Sequence, residues 1–166
     1  MHKNPFPPNG GSPLSFPRLK PGASRGYSVS ICADNFSSSL AIGHVLARMG
    51  AQIIFSPSAW AVPPDFDAEA TPYGDLWIDA YSELARLYDL NVIGVSCVGP
   101  ITAGPWKGHH CIGASIAMGP DGQTLARAPF GKDQVALVPV SVQLKPPIGR
   151  GTTFAEALQR RGYQGP

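Results

Sequence analysis

Charge is sparse in this 166-residue chain, since only 14% of its residues are Asp, Glu, Lys or Arg and the formal net charge is +2. No run of Lys or Arg is present that would neutralise phosphates, which argues against nucleic acid as a partner. No apolar stretch approaches the roughly 20 residues of a membrane-spanning helix, and the N-terminus lacks a signal-peptide apolar region. We therefore expect neither a nucleic-acid nor a membrane partner.

Cysteine is also scarce, with three residues at no framework spacing. This odd number favours reduced thiols and a cytoplasmic setting over disulfides, and we expect Cys97 and Cys111 to be core thiols. His109 and His110 precede Cys111, but adjacent strand residues point to opposite faces and no further ligand lies at a suitable spacing. We expect no metal site and no cofactor.

Glycine and proline are abundant, at 19 and 18 residues. Proline clusters in the first 22 residues and predicts an irregular N-terminal segment over residues 1–25. The remaining length suffices for one domain with a core, which we place at residues 26–145. Residues 146–166 form a C-terminal tail, with a short helix predicted at 154–161.

Apolar runs and turn signals predict the β-strands. Strands are expected at 27–31, 52–56, 91–98 and 134–142. A hairpin is expected where residues 111–118 and 123–128 flank a Pro-Asp-Gly turn. Strands that alternate with helices predict an α/β (α+β) fold, in which helices pack on one face of a sheet.

Two helices are predicted from apolar residues at helical spacing. The first begins near a capping serine at 37–39 and ends at Gly50. Its apolar positions are Ile42, Val45, Leu46 and Met49. The second spans residues 73–90. Its buried stripe is predicted to contain Trp77, Ala80, Tyr81, Leu84, Ala85 and Tyr88. Loops 61–75 and 100–110 are long enough to shape a binding pocket.

The first strand ends abruptly at Cys32, which is followed by Ala33, Asp34 and a serine-rich helix start. A thiol at a strand tip beside a helix N-terminus is placed where unpaired backbone N–H groups stabilise a thiolate. The Ala33 N–H is placed to receive an oxyanion. A buried structural cysteine is nevertheless the commoner fate of a lone strand cysteine, so this segment alone leaves both interpretations open.

Four sequence blocks follow one another in a specific order. Val29 to Asp34 reads VSICAD, and Met49 to Trp60 reads MGAQIIFSPSAW. Asn91 to Gly99 is a strand that ends near Val-Gly, and Gly113 to Gly122 reads GASIAMGPDG. Together these blocks resemble the carbon–nitrogen hydrolase (nitrilase) family over about residues 26–145, although no single block would suffice.

The resemblance implies a four-layer α-β-β-α sandwich, of which this chain covers about the second half. One apolar face of its sheet is then expected to be uncovered. The resemblance also implies a cofactor-free hydrolase, acting on small-molecule amide, nitrile or N-carbamoyl substrates through a cysteine thioester. A homo-oligomer is the expected assembly.

Site residues follow from the same resemblance. Cys32 is the expected nucleophile, and Ala33, which replaces the family's usual aromatic residue, contributes its backbone N–H to the oxyanion. Lys3, in a His-Lys-Asn-Pro segment, matches the oxyanion-stabilising lysine, with a disordered terminal lysine as the alternative. Trp60 and Ser58 are expected to line the substrate pocket, with a core role as the alternative for Trp60.

The family's glutamate base belongs upstream of the lysine, yet Glu69, Glu83 and Glu156 all lie downstream of Cys32. We therefore expect a truncated or fragmentary family member that hydrolyses poorly on its own. The alternative is a catalytically silent module of the nitrilase fold that acts through oligomerisation.

Overall fold

The computed structural model describes residues 26–35, 40–67, 70, 74–147, 160 and 161. The N-terminal segment with Lys3 lies outside this description, as does nearly all of the predicted tail helix. The strands are β1 Tyr27–Val29, β2 Ile53–Ser58, β3 Ala61–Val62, β4 Asn91–Ser96, β5 Val98–Pro100, β6 His110–Ile112, β7 Ile116–Met118 and β8 Thr124–Arg127. The helices are α1 Ala41–Arg48 and α2 Asp75–Tyr88, with a 3₁₀ turn at Cys32–Asn35.

A five-stranded mixed sheet organises the molecule in the order β1-β2-β4-β7-β8. Strands β1, β2 and β4 are parallel, with α1 and α2 as their connections, whereas β7 and β8 are antiparallel additions. A second sheet has the order β3-β6-β5. Parallel strands need a crossover connection, usually a helix, and α1 and α2 supply it here. The α/β prediction is confirmed. Neither described helix is long and apolar enough to cross a membrane.

The helices cover one face of the large sheet. Along β2, Ile54 and Ser56 are buried whereas Phe55 and Pro57 are exposed, as the two-residue period of a half-covered strand requires. The predicted stripe of α2 is confirmed in full. Its buried members are Trp77, Ala80, Tyr81, Leu84, Ala85 and Tyr88.

Two glycines allow the helices to pack closely. A Cβ at Gly94 of β4 would lie 2.4 Å from Cε2 of Tyr81, and one at Gly43 of α1 would lie 2.5 Å from Cδ2 of Leu84. The Tyr81 hydroxyl donates to Ser56 Oγ at 2.9 Å. Helix α2 is therefore fixed on the sheet through Gly94 and against α1 through Gly43.

The opposite sheet face carries a continuous apolar row. The strand registers align Val29, Phe55, Ile93, Ala117 and Ala126 across all five strands. Val138 and Val140 line a small cavity with the β4 and β7 end of this row. Val29 is 55% exposed and Phe55 39% exposed, so the β1–β2 part of the face is uncovered, as half of a sandwich implies.

The predicted strand at 134–142 is wrong. Residues 134–147 form no strand, and Val135 and Leu137 are 84% and 96% exposed. Side-chain amides hold the later part of the segment instead, since Gln52 Nε2 donates to the Lys145 carbonyl at 2.7 Å and Asn91 Nδ2 donates to the Gln143 carbonyl at 2.9 Å. An apolar run predicts burial only where a neighbouring element covers it.

Helix α1 ends at Arg48, two residues before the left-handed Gly50, whose φ is 94°. Its predicted apolar stripe is not its buried face. The buried residues are Gly43, His44, Ala47 and Arg48. Ile42, Val45 and Met49 are exposed because the contact between Gly43 and Leu84 sets the rotation of the helix. The N-cap is Leu40, without a side-chain cap hydrogen bond, so the capping serine was a wrong prediction.

We expect Gly94→Ala to lower the free energy of unfolding by roughly 1–3 kcal/mol, because the added methyl group overpacks against Tyr81. Val95→Thr is the matched control, since Val95 is the next residue on the same strand, is exposed and keeps its β-branched shape. The control should stay within about 0.5 kcal/mol of the parent. Urea denaturation measures both, and equal stability of the two variants would contradict the close approach of Tyr81 to β4.

Candidate active site

The chain turns sharply at Cys32. Its φ of 44° lies in the left-handed region, which residues other than glycine seldom adopt. Such backbone strain is concentrated at functional sites, and a sharp turn directly after a strand exposes a nucleophile in unrelated hydrolases. The helix expected directly after Cys32 is only one 3₁₀ turn that contains Cys32 itself, and α1 begins at Ala41.

Asp34 holds this corner. The Ile31 N–H donates to Asp34 Oδ2 at 2.8 Å, and the Asp34 N–H donates back to the Ile31 carbonyl at 2.9 Å. Just before the corner, the Ser30 N–H donates to the Phe55 carbonyl at 3.0 Å and extends the β1–β2 pairing. The strained residue is therefore fixed on both sides, and the Asp34 carboxylate is already engaged.

Ala33 is exposed and directly follows Cys32 in the chain. A backbone N–H group beside a nucleophilic sulfur is suited to bind a developing oxyanion. The geometry is compatible with the predicted role, which stays a prediction.

Cys32 opens onto a cavity of about 350 Å³. Its lining residues are Cys32, Ala59, Trp60, Ala61, Trp77, Ile101 and Trp106. All three tryptophans of the chain are among them. The cavity is thus apolar and aromatic around a single thiol, which is typical of small-molecule sites.

Different elements bring these residues together. Cys32 follows β1 and Trp60 follows β2, so both lie beyond the carboxyl ends of parallel strands, where ligands bind in α/β sheets. Two backbone hydrogen bonds hold Trp60 in place. Its backbone N–H donates to Ser96 Oγ at 3.0 Å, and its backbone carbonyl accepts from the Ile112 N–H at 3.1 Å. The pocket prediction for Trp60 agrees with this lining.

Sequence reasoning missed two of the aromatic residues. Trp77 was predicted as core only, and Trp106 was not singled out, although loop 100–110 was expected to shape the pocket. A tryptophan flanked by glycine and proline, in a Gly-Pro-Trp-Lys-Gly segment, was the available signal. Ser58 is not among the lining residues, and its hydroxyl donates to the Ser56 carbonyl at 3.3 Å. Its substrate-binding role stays a prediction.

Tyr81 is a buried polar side chain of α2. Burial is the main cause that raises the pKa of Tyr81 above its ordinary value, hydrogen bonds with Ser56 and Ser58 oppose the rise, and the charge of Cys32 adds to it. The phenol therefore stays protonated at neutral pH.

The other two cysteines differ in environment. Cys111 is buried, as predicted, whereas Cys97 is exposed because it lies where the chain passes from β4 to β5. The core prediction for Cys97 is thus wrong. Burial, together with a hydrogen bond to Cys97, raises the pKa of Cys111 to about 11. Cys111 is protonated at neutral pH, and Cys97 is the thiol that competes with Cys32 for added reagents.

The predicted lysine and the three glutamates do not line the cavity among the residues that the structure describes. Glu83 is exposed on α2, and Lys3, Glu69 and Glu156 lie outside the described residues. No group of three or more His, Cys, Asp or Glu side chains that could hold a metal ion occurs in the part of the chain that was described.

No protein-family model and no curated protein sequence matches this chain. Among solved structures, it is similar to the carbon–nitrogen hydrolase from Helicobacter pylori G27, with a TM-score of 0.59 and 20% identity over 86% of this chain and 49% of that one. The chain has the carbon–nitrogen hydrolase fold. It spans about half the length of the Helicobacter pylori enzyme. The fold implied by the four sequence blocks is confirmed.

Two further solved structures have lower TM-scores. Nit3 from Saccharomyces cerevisiae, a member of branch 10 of the nitrilase superfamily, has a TM-score of 0.47 and 24% identity over 64% of this chain and 34% of its own. An amidase from Nesterenkonia sp. has a TM-score of 0.45 and 23% identity over 66% of this chain and 35% of its own.

We expect Asp34→Ala to slow the alkylation of Cys32 by iodoacetamide several-fold, because the corner that presents the thiol loses a hydrogen bond worth roughly 1 kcal/mol. Asp34→Asn keeps an acceptor oxygen and should change the rate less. Peptide mass spectrometry measures the rate in a Cys97→Ser background, which removes the competing exposed thiol. An Asp34→Ala rate equal to that of the parent would show that the carboxylate does not hold the corner.

Proposed function

We propose that this protein is a hydrolase of non-peptide carbon–nitrogen bonds, which acts on small-molecule amide, nitrile or N-carbamoyl substrates through a thioester on Cys32. The observation that carries the proposal is the position of Cys32, at a strained strand-end corner that opens onto an apolar cavity. The fold, shared with a carbon–nitrogen hydrolase, supports it.

For an amide, the Cys32 thiolate attacks the carbonyl carbon and forms a tetrahedral oxyanion beside the Ala33 N–H. The carbon–nitrogen bond then breaks, and the amine departs with the proton that the thiol released. Water attacks the resulting thioester, releases the carboxylic acid and returns the proton to sulfur. Lys3 is the further oxyanion-stabilising group that the resemblance implies.

The described residues that line the cavity supply a nucleophile but no carboxylate base. Asp34, the acid nearest to Cys32 in sequence, has its carboxylate engaged by the Ile31 N–H. General acid–base help is worth roughly 10²–10⁴ in rate, and both transfer of the thiol proton and activation of water depend on it. We therefore expect acylation by activated substrates to exceed deacylation, so that the thioester accumulates.

A p-nitrophenyl ester tests this chemistry. We expect a burst of about one p-nitrophenolate per chain, an acyl mass increment on Cys32, and release of that increment by hydroxylamine. Cys32→Ala should abolish the burst and Cys97→Ser should retain it. Lys3→Ala should slow acylation by roughly 10²–10³, the usual effect of losing an oxyanion donor. An acyl group found on Cys97 and not on Cys32 would overturn the proposal.

A second candidate function is that of a silent module that acts through self-association. The apolar row that includes Val29 and Phe55 favours it, because these side chains are exposed on neighbouring strands of the same face. An uncharged row presents no like charges to a second copy of itself, and exposed apolar patches of this kind mark interaction surfaces.

We expect the wild-type chain to associate at micromolar concentration and Phe55→Lys to remain monomeric, because a charge in the row cannot be buried unpaired. Leu87→Lys is the matched control, since Leu87 on α2 is 38% exposed compared with 39% for Phe55. Sedimentation velocity compares the three proteins. A monomeric wild type would exclude this candidate, whereas Phe55→Lys that still acylates at Cys32 would separate association from catalysis.

A further inference from the structure

The lining of the Cys32 cavity discriminates between classes of substrate. Three of its seven lining residues are tryptophans, and the others are alanine, isoleucine and the cysteine itself. Among the described residues, no Lys, Arg, Asp or Glu side chain contributes to this lining. A charged group that lay against these residues would lose its water without gaining a counter-charge from them, which is unfavourable. The described walls therefore favour a neutral ligand.

Two of the indole rings form a fixed wall. Trp60 and Trp77 are buried and stack with their ring centroids 5.0 Å apart at an interplanar angle of 19°. The Tyr81 ring packs against both indoles, with its centroid 6.3 Å from that of Trp60 and 6.4 Å from that of Trp77. Because the wall is preformed, a flat ligand group meets it without a prior loss of side-chain freedom.

Trp106, the third tryptophan, lies on a loop whose two ends are joined by hydrogen bonds. The Ile101 N–H donates to the His109 carbonyl at 2.8 Å, and the Gly108 N–H donates to the Ile101 carbonyl at 2.9 Å. The Trp106 ring packs edge-on against His109, with centroids 5.2 Å apart and an interplanar angle of 85°. Trp106 is nevertheless 59% exposed, so much of its ring surface remains available to a ligand.

We propose that the site takes neutral amides that carry a flat aromatic group, and that Trp106 determines this specificity by covering the group from the loop side. This inference rests on the proposed function. An aromatic ring placed against Trp106 and the buried indole wall gains from both apolar burial and ring–ring contact. A small aliphatic amide makes the same bond to Cys32 but leaves Trp106 exposed.

The experiment compares three alkylating probes in the Cys97→Ser chain: iodoacetamide, N-phenyliodoacetamide and N-(4-carboxyphenyl)iodoacetamide. In each case the Cys32 thiolate displaces iodide from carbon and forms a thioether, so neither a base for deacylation nor a complete hydrolytic cycle is needed. Rates at Cys32 come from peptide mass spectrometry. Each is divided by the rate of the same probe with free N-acetylcysteine, which removes differences in intrinsic reactivity.

We expect the corrected rate of the phenyl probe to exceed that of iodoacetamide by at least tenfold and to saturate with probe concentration. The carboxyphenyl probe, which adds a negative charge to the same ring, should lose most of this advantage. Trp106→Ala should remove most of the phenyl advantage, measured as the ratio of the corrected phenyl and iodoacetamide rates within the same variant. Trp106→Phe, which restores a flat ring, should recover much of it.

Equal corrected rates for the phenyl probe and iodoacetamide would overturn the inference, as would a phenyl advantage that survives in Trp106→Ala. If the ester forms a thioester on Cys32 without any aromatic preference, the inference is wrong and the proposed function stands. If the aromatic preference appears without a thioester, the proposed function is wrong and the pocket specificity stands. A Cys32 that no probe labels in the native chain would contradict both.

Discussion

The seating of helix α2 on strands β2 and β4 is the contact on which the rest of the structure depends. Gly94 leaves room for the Tyr81 ring, and the Tyr81 hydroxyl binds Ser56. This close approach brings Trp77, one turn earlier on the same helix, into the stack with Trp60. A side chain at position 94 would displace the helix and with it the fixed wall of the cavity.

The corner at Cys32 depends on the same sheet. Pairing of β1 with β2 extends to Ser30, and the Asp34 carboxylate fixes the next residue, Ile31. A non-glycine residue at a φ of 44° is unfavourable by itself, and it persists where the surrounding contacts over-determine the backbone. The sheet therefore supplies both the position of the thiol and the constraint that keeps it presented toward the cavity.

The two faces of the large sheet have different chemistry. One face is closed by the helices and supports the cavity, whereas the β1–β2 part of the other leaves Val29 and Phe55 exposed. The proposed hydrolysis uses the end of the sheet where the parallel strands stop. The alternative function, self-association, uses the uncovered face. The two candidate functions thus use separate surfaces, and one substitution, Phe55→Lys, distinguishes them.

Local sequence was sufficient for the elements whose partners lie nearby in the chain. The stripe of α2, the β7–β8 hairpin around the Pro-Asp-Gly turn and strand β1 follow from periodicity and turn chemistry, which act over a few residues. The predicted hairpin strand at 111–118 was wrong in part, because its first two residues belong to β6 of the second sheet. The four ordered blocks likewise implied the fold and Cys32 as the nucleophile. The apolar run at 134–142 predicted a strand, and the usual burial of free cysteine predicted a core position for Cys97. Both of these predictions were wrong.

Only the tertiary structure decided the features that depend on distant partners. It selected the buried face of α1 through the contact of Gly43 with Leu84, and it left residues 134–147 without a pairing strand. It also brought Trp77 and Trp106 to a thiol that is more than 40 positions away in sequence. The physical reason is that burial and proximity belong to pairs of elements, whereas periodicity records only the preference of one element.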